Sequence, residues 1–187
     1  MKLGTKSLLF GAHCFFVHPF CVLIAWIKIY GFPFDPRIWI AILVHDWGYW
    51  GKPDMDGLLG KMHPYLGAKI MRSLFGEKWY WFTLLHSRFM AREYDLEASK
   101  LCYADKLSIK YELKWFYSLR VKLSGEYLEY FELMRSYRRQ SNKWLASFKK
   151  RQNALSEWFD WAKDHMISFV ENKQKKKKKE GLRIVIP

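Results

Sequence analysis

Three cysteines in 187 residues are too few, and too poorly spaced, to make a disulfide framework. Cys14, Cys21 and Cys102 form no CxxC pair and sit in apolar surroundings such as Cys14-Phe15-Phe16 and Leu101-Cys102-Tyr103. They read as reduced core residues of a cytoplasmic protein, not as zinc ligands. Acidic residues are scarce too: 18 Asp and Glu face 32 Lys and Arg, for a formal net charge of +14. That balance favours polyanionic ligands, whether nucleotides, nucleic acid or an anionic membrane face, without choosing among them. A clean apolar run is also missing. Leu8 to Trp26 resembles a signal peptide or a membrane span, but His13, His18 and Pro19 interrupt it and no small-residue cleavage site follows. A buried helix of a globular domain is expected there, with no membrane partner.

Strand-like alternation is equally rare, its clearest instance being the short Arg183-Ile184-Val185-Ile186 end. What the chain has in quantity is material for packed helices. Half of its residues are apolar and 19% aromatic, including ten Trp, enough for a sizeable core at this length. An all-α fold is expected. Pro19 opens a helix to about Ile29 that Gly31-Phe32-Pro33 breaks, and Asp35-Pro36 caps a second helix ending at His45-Asp46. Residues 47–60, with four Gly, Pro53, Asp54 and Asp56, read as a loop, and a loop of that length in a compact domain is usually functional. His63-Pro64 starts a third helix closed by Gly76, a fourth covers about 78–88, and a fifth begins near Leu96 and carries Asp105. Two more amphipathic helices, about 126–150 and 152–172, follow the break at Ser124-Gly125-Glu126. Residues 171–187 hold seven basic groups against Glu171 and Glu180, so +5 of the net charge lies in a lysine-rich end expected to be flexible.

Five of the six histidines precede Asp105, each at or near an expected helix end or a loop. Several neutral imidazoles with a carboxylate able to bridge are what a binuclear site for hard or borderline cations requires, and helices of a bundle can project them inward from separate segments. The order His18, His45-Asp46, His63, His86, Asp105 resembles the HD superfamily pattern H…HD…H…H…D in its longer, two-metal form. His18-Pro19-x-x-Val22 resembles the first motif of HD enzymes of alarmone metabolism. Ala41-Ile42-Leu43-Val44-His45-Asp46-Trp47-Gly48 resembles the hallmark motif and Ala104-Asp105-Lys106 the closing one. His63-Pro64-x-x-Gly67-Ala68 is similar to the additional histidine motif of HD-GYP phosphodiesterases and of HD-type diadenosine tetraphosphate hydrolases.

The resemblance spans residues 13 to about 115, and the loop Gly48-Tyr49-Trp50-Gly51-Lys52 departs from the usual short HD-to-Lys spacing. It implies an HD-type helical bundle over residues 1–120, followed by a helical extension over 121–172 and the basic tail over 173–187. It implies one or two divalent transition metals per chain (iron, manganese, cobalt or nickel). His18, His45, Asp46 and Asp105 would hold the first, and Asp46 would bridge to a second held by His63 and His86. The activity implied is hydrolysis of a phosphoester or phosphoanhydride bond in a nucleotide or other phosphorylated small molecule, with a metal-activated hydroxide as nucleophile.

Around this set, His13 is the rival of His18 for first ligand; the Pro-Val context favours His18. Lys52 and Arg88, and after them Arg92 and Lys106, are candidates to hold phosphate. Asp54 and Asp56 are candidate proton donors or turn formers, and Trp47, Tyr49 and Trp50 either stack on a base or anchor the loop. Ser136 to Arg151 carries six basic residues and no acid, with Tyr137, Trp144 and Phe148 interleaved. That stretch supports a rival reading, in which a nucleic-acid-binding or adaptor protein retains an HD scaffold and works through its basic C-terminal third. A third reading is an oxygen-using binuclear iron enzyme, since HD-like scaffolds also hold mixed-valence iron.

Overall fold

Proline, glycine and short polar side chains set the helix ends. Pro36 sits in the first turn of its helix while the Asp35 carboxylate accepts from Arg37 N–H at 3.0 Å. Gly31 and Gly76 end two helices at φ 84° and 87°, the left-handed region a side chain would strain. The structure, a computed structural model, describes residues 1–137, 139 and 141–179. The helices are α1 Leu3–Phe10, α2 His18–Tyr30, α3 Pro36–Val44, α4 Leu58–Lys61, α5 Pro64–Phe75, α6 Glu77–Leu84, α7 Arg88–Glu93, α8 Lys100–Ser108, α9 Lys114–Ser124, α10 Tyr127–Tyr137, α11 Asn142–Lys149 and α12 Ala154–Lys179. Among the described residues there is no strand, and no helix is long and apolar enough to cross a membrane. The strand-like Arg183–Ile186 end lies outside the described residues.

Two apolar cores organise these helices. The first joins Val22, Ala25 and Trp26 of α2 to Ala41, Ile42 and Val44 of α3, Met71 of α5, Trp79 of α6, and Leu101 and Ala104 of α8. The second gathers Tyr117, Val121, Phe131, Phe148, Trp158 and Phe159 from α9 to α12, with Trp158 stacked on Tyr130 at 4.5 Å. Phe148 and Phe159 are each 1% exposed, and burial of such side chains stabilises by roughly 1.5–3 kcal/mol apiece.

Buried polar groups tie the Gly11-Ala12 backbone, just after α1, to residues 112–126 around α9. Arg120 donates to the Gly11 carbonyl at 2.7 Å and pairs with buried Glu112. Glu126, fully buried, accepts from Ala12 N–H at 3.0 Å and from Ser124 Oγ at 2.7 Å. A Cβ on Gly11 would lie 1.9 Å from Glu126 Oε1, so only glycine lets the chain approach this closely. Leu8–Trp26 is divided among α1, a turn and α2, and α2 starts beside Pro19, where the sequence opened a helix.

Other boundaries also differ from the sequence reading. The expected fourth helix stops at Leu84, because Ser87 accepts from Met90 N–H and starts α7 afresh. The fifth starts at Lys100, not near Leu96, following Asp95 at φ 50°. The expected 126–150 helix divides into α10 and α11, where Arg139 takes φ 50° and Ser141 caps Trp144 N–H at 3.2 Å. Helix α12 continues past residue 172 to Lys179, because straight-chain lysines propagate a helix that packing has already nucleated.

Candidate metal centre

Helix termini deliver the histidines. His18 is the first residue of α2, His45 caps the C-terminus of α3, His63 precedes α5, and His86 lies in the turn between α6 and α7. Asp46 follows His45 where the backbone leaves the helix, while Asp105 projects from the middle of α8. All six are buried. Close backbone contact makes this convergence possible. A Cβ on Gly48 would stand 1.9 Å from the His63 carbonyl oxygen, and one on Gly67 would stand 2.5 Å from Val44 O and 3.0 Å from His45 Cα. The two glycines of the HDWG and HPxxGA motifs therefore let α5 lie directly on the His45-Asp46 segment.

The Asp46 carboxylate divides the site. Its Oδ2 lies 3.2 Å from His18 Nε2 and 3.1 Å from His45 Nε2, and its Oδ1 lies 3.4 Å from His63 Nε2 and 3.5 Å from His86 Nε2. Asp105 Oδ1 completes the first half at 3.2 Å from His18 Nε2. Ligand-type atoms of His18, His45 and Asp105, and likewise of His45, Asp46 and His86, fall within 4.8 Å of one another.

Three of the rings are fixed from behind. His45 Nδ1 donates to Ile42 O at 2.7 Å, His63 Nδ1 to Gly60 O at 2.8 Å and His86 Nδ1 to Thr83 O at 2.6 Å. Since a carbonyl only accepts, each Nδ1 carries the proton, and in the neutral ring Nε2 keeps its lone pair toward the centre. Such backing is what metal-binding histidines require. Asp46 Oδ2 is buried with no hydrogen-bond partner in acceptable geometry, although two imidazole nitrogens stand near it. A buried carboxylate oxygen and several lone pairs aimed at one space fit a cation: nitrogen and oxygen donors suit a borderline divalent metal.

Electrostatics sort the histidines. Burial lowers the pKa of His63 and outweighs the attraction of Asp46, and burial likewise lowers His86. For His18, burial works in the same direction but Asp105 and Asp46 prevail, raising it to about 10. Burial disfavours charge on Asp46 and Asp105 as well. The neighbouring imidazoles of His45 and His13 for Asp46, and Lys106 and His18 for Asp105, nevertheless hold both well below the usual carboxylate range.

The neighbouring candidates separate into those at the site and those elsewhere. His13 stands outside the ligand groups; its Nδ1 is 2.9 Å from Ser7 Oγ and 3.7 Å from Glu126, and its ring meets His18 edge-on. His18, not His13, thus belongs to the buried His/Asp cluster. Lys106 grips the outer oxygen of Asp105 at 2.8 Å. Arg88 lies over the Phe169 ring of α12, 4.9 Å from its centroid, and close enough to Lys106 to oppose its charge. Arg92 is exposed and donates to Arg88 O, and half-buried Lys52 is held through its backbone carbonyl by Gly4 N–H. Asp54 accepts from Gly60 N–H at 2.8 Å as a turn former, while Asp56 is exposed. Tyr49 is a packing residue: its ring stacks on His63 at 3.9 Å and 15° and leans on His13 at 4.8 Å. Trp47 is half-buried against Phe15, and Trp50 is exposed.

Sequence reasoning did not single out Glu126, Ser7, Thr83 or Gly60. Thr83 and Gly60 each stand three residues before one of the clustered histidines, and that spacing was the available signal. Comparison with protein-family models, with curated proteins and with solved structures finds no match to this chain.

Proposed function

We propose that this protein is a metal-dependent phosphohydrolase of the HD type. It would hydrolyse a phosphoester or phosphoanhydride bond in a nucleotide or a similar phosphorylated small molecule. The observation that carries this reading is the division of Asp46 between His18 and His45 on one oxygen and His63 and His86 on the other. In it, His18, His45, Asp46 and Asp105 would hold one cation, and Asp46, His63 and His86 a second. A pair of divalent cations so held would supply Lewis acidity to a phosphoryl oxygen and lower the pKa of bound water.

The chain's own residues do the rest. Ile42, Gly60 and Thr83 carbonyls keep three imidazoles in one tautomer, so no side chain must reorient when a substrate arrives. Lys106 holds Asp105 in place and adds positive charge at its outer oxygen. Arg88, which lies over Phe169 and near Lys106, would bind a further phosphate of the substrate. A reducing, cytoplasmic setting belongs to the same proposal, as the three thiols are unpaired and buried.

The rival, a nucleic-acid-binding protein using the basic C-terminal third, draws less support. Lys149 pairs with Glu132 at 3.0 Å and Arg151 with Glu157 at 3.2 Å, so those cations are already engaged. The test is phosphate release from a panel of nucleotides by protein supplied with manganese, iron, cobalt or nickel. Turnover that requires the metal is expected; a metal-loaded protein inert toward every phosphorylated substrate would set the hydrolase reading aside.

A further inference from the structure

The hairpin of α2 and α3 buries one side and leaves the other bare. On α2, Cys21, Val22, Ala25 and Trp26 face the core, while Phe20 is 61% exposed and Ile27 36%. On α3, Ala41, Ile42 and Val44 are buried, while Trp39 is 41% and Leu43 46% exposed. Phe20 and Leu23 line one shallow groove of about 300 Å³ together with Trp39 and Leu43, so the two outer faces are continuous. The strip is extended at both ends by protruding rings. Phe16, four residues before Phe20, is 87% exposed, and Phe34, in the loop between the helices, is 88% exposed. Phe32, Phe34 and Trp39 pack edge to face at 5.1 and 5.7 Å, a cluster held out toward solvent.

Helices that are apolar on every side belong in a core or in lipid, and here only half of each is in a core. Spanning is excluded by length: thirteen residues of α2 make about 20 Å, short of the roughly 30 Å of a hydrocarbon layer. Charge chooses among partners. Residues 1–45 carry Lys2, Lys6, Lys28 and Arg37 against Asp35 as the sole acid, and Asp35 is bonded to Arg37. Within the hairpin itself, residues 18–44, the exposed Lys28 and Arg37 outnumber Asp35, and the whole chain carries a net charge of +14. A second copy would bring like charge to that face, whereas an anionic lipid surface brings the complement and takes up aromatic rings at its interface. We infer that the outer face of the α2–α3 hairpin seats on anionic phospholipid bilayers, with Phe16 and Phe34 entering the headgroup layer and α2 lying along it. This inference is independent of the reaction proposed above, and it revises the expectation that a membrane has no part.

Co-sedimentation of the full chain with vesicles tests it. Mixed phosphatidylcholine–phosphatidylglycerol vesicles are compared with pure phosphatidylcholine, using wild type and a Phe16→Ser, Phe34→Ser variant. Both substitutions fall on exposed rings and leave every charge in place, so the variant separates insertion from attraction by the C-terminal lysines. Wild type is expected to partition onto the anionic vesicles and the variant on the order of a hundredfold more weakly, as burial of two rings implies, with unchanged circular dichroism. Equal binding of variant and wild type, or no binding by wild type, would overturn the inference. So would a concentration-dependent dimer that the variant dissolves without any vesicle binding, since that assigns the face to a second copy.

Discussion

His63 and His86 face each other through Nε2 atoms 3.1 Å apart, and each has its Nδ1 proton committed to a backbone carbonyl three residues earlier. Neutral rings in that state turn two lone pairs toward one another, and a cation between them and Asp46 removes the conflict. Replacing either histidine with alanine is expected to lower the metal content from about two per chain toward one. The double variant should lose little more than a single one, because two ligands of one cation are not additive. Elemental analysis of the three variants decides this. An unchanged metal count, with only a melting-temperature loss worth about 1–3 kcal/mol, would return both histidines to a structural role.

Gly67 offers a test of the packing that brings α5 onto the His45-Asp46 segment. Alanine is favoured over glycine inside a helix by about 1 kcal/mol, so Gly67→Ala would stabilise an unobstructed site. Here the added Cβ would meet Val44 O at 2.5 Å, a contact with backbone that cannot swing away. Overpacking of this kind costs roughly 1–3 kcal/mol and should prevail. A lower melting temperature with weakened metal retention is expected from thermal denaturation and elemental analysis; a more stable variant would show that α5 has room to shift.

Glu126 gives the pH dependence a sign. Burial alone would raise its pKa, but His13, Ser124 and Tyr130 outweigh it and lower the folded value below the usual 4.5. Such a carboxylate contributes stability above about pH 4.5 that disappears as pH falls through its folded value. Glu126→Gln should therefore melt lower than wild type near neutrality, by about 1–3 kcal/mol, and the two should converge in acid. Parallel melting curves at every pH would show that the charge is immaterial.

Much of this centre was legible because its chemistry is written in single residues. The five histidines ahead of Asp105 needed no tertiary information to be noticed, and the proline, glycine and Asp35 signals marked helix ends correctly. The placement of His18 over His13 followed from local context alone. What sequence could not supply were contacts between distant segments. The close approach at Gly11 involves Glu126, more than a hundred residues away, so a separate α1 ahead of the Pro19 helix was not announced locally. Tyr49 looked like a candidate for base stacking because nothing local reveals that His63 occupies its face. The division of 126–150 rests on Arg139 at positive φ, a conformation that sequence rarely announces.

The lysine-rich end supplies a further expectation. Residues 173–176 are exposed or half-buried, whereas Val170 just before them is buried. A chain ending at Asn172 should keep its metal content and lose under about 1 kcal/mol of stability, as surface residues usually do. Chemical denaturation of the shortened chain checks this, and a large loss would place part of that end against the body of the protein.

The most direct measurement is the metal content and phosphate release of Asp46→Ala beside wild type, each stripped and then offered manganese, iron, cobalt or nickel. Asp46 is the residue whose two carboxylate oxygens face different pairs of histidines. Wild type is expected to regain one or two ions per chain together with turnover. The variant, folded by circular dichroism, should regain neither in full, with turnover reduced by on the order of a hundredfold or more. A wild-type protein that takes up no metal, or an Asp46→Ala variant with full metal and full turnover, would contradict the assignment of this cluster as a metal-dependent hydrolytic centre.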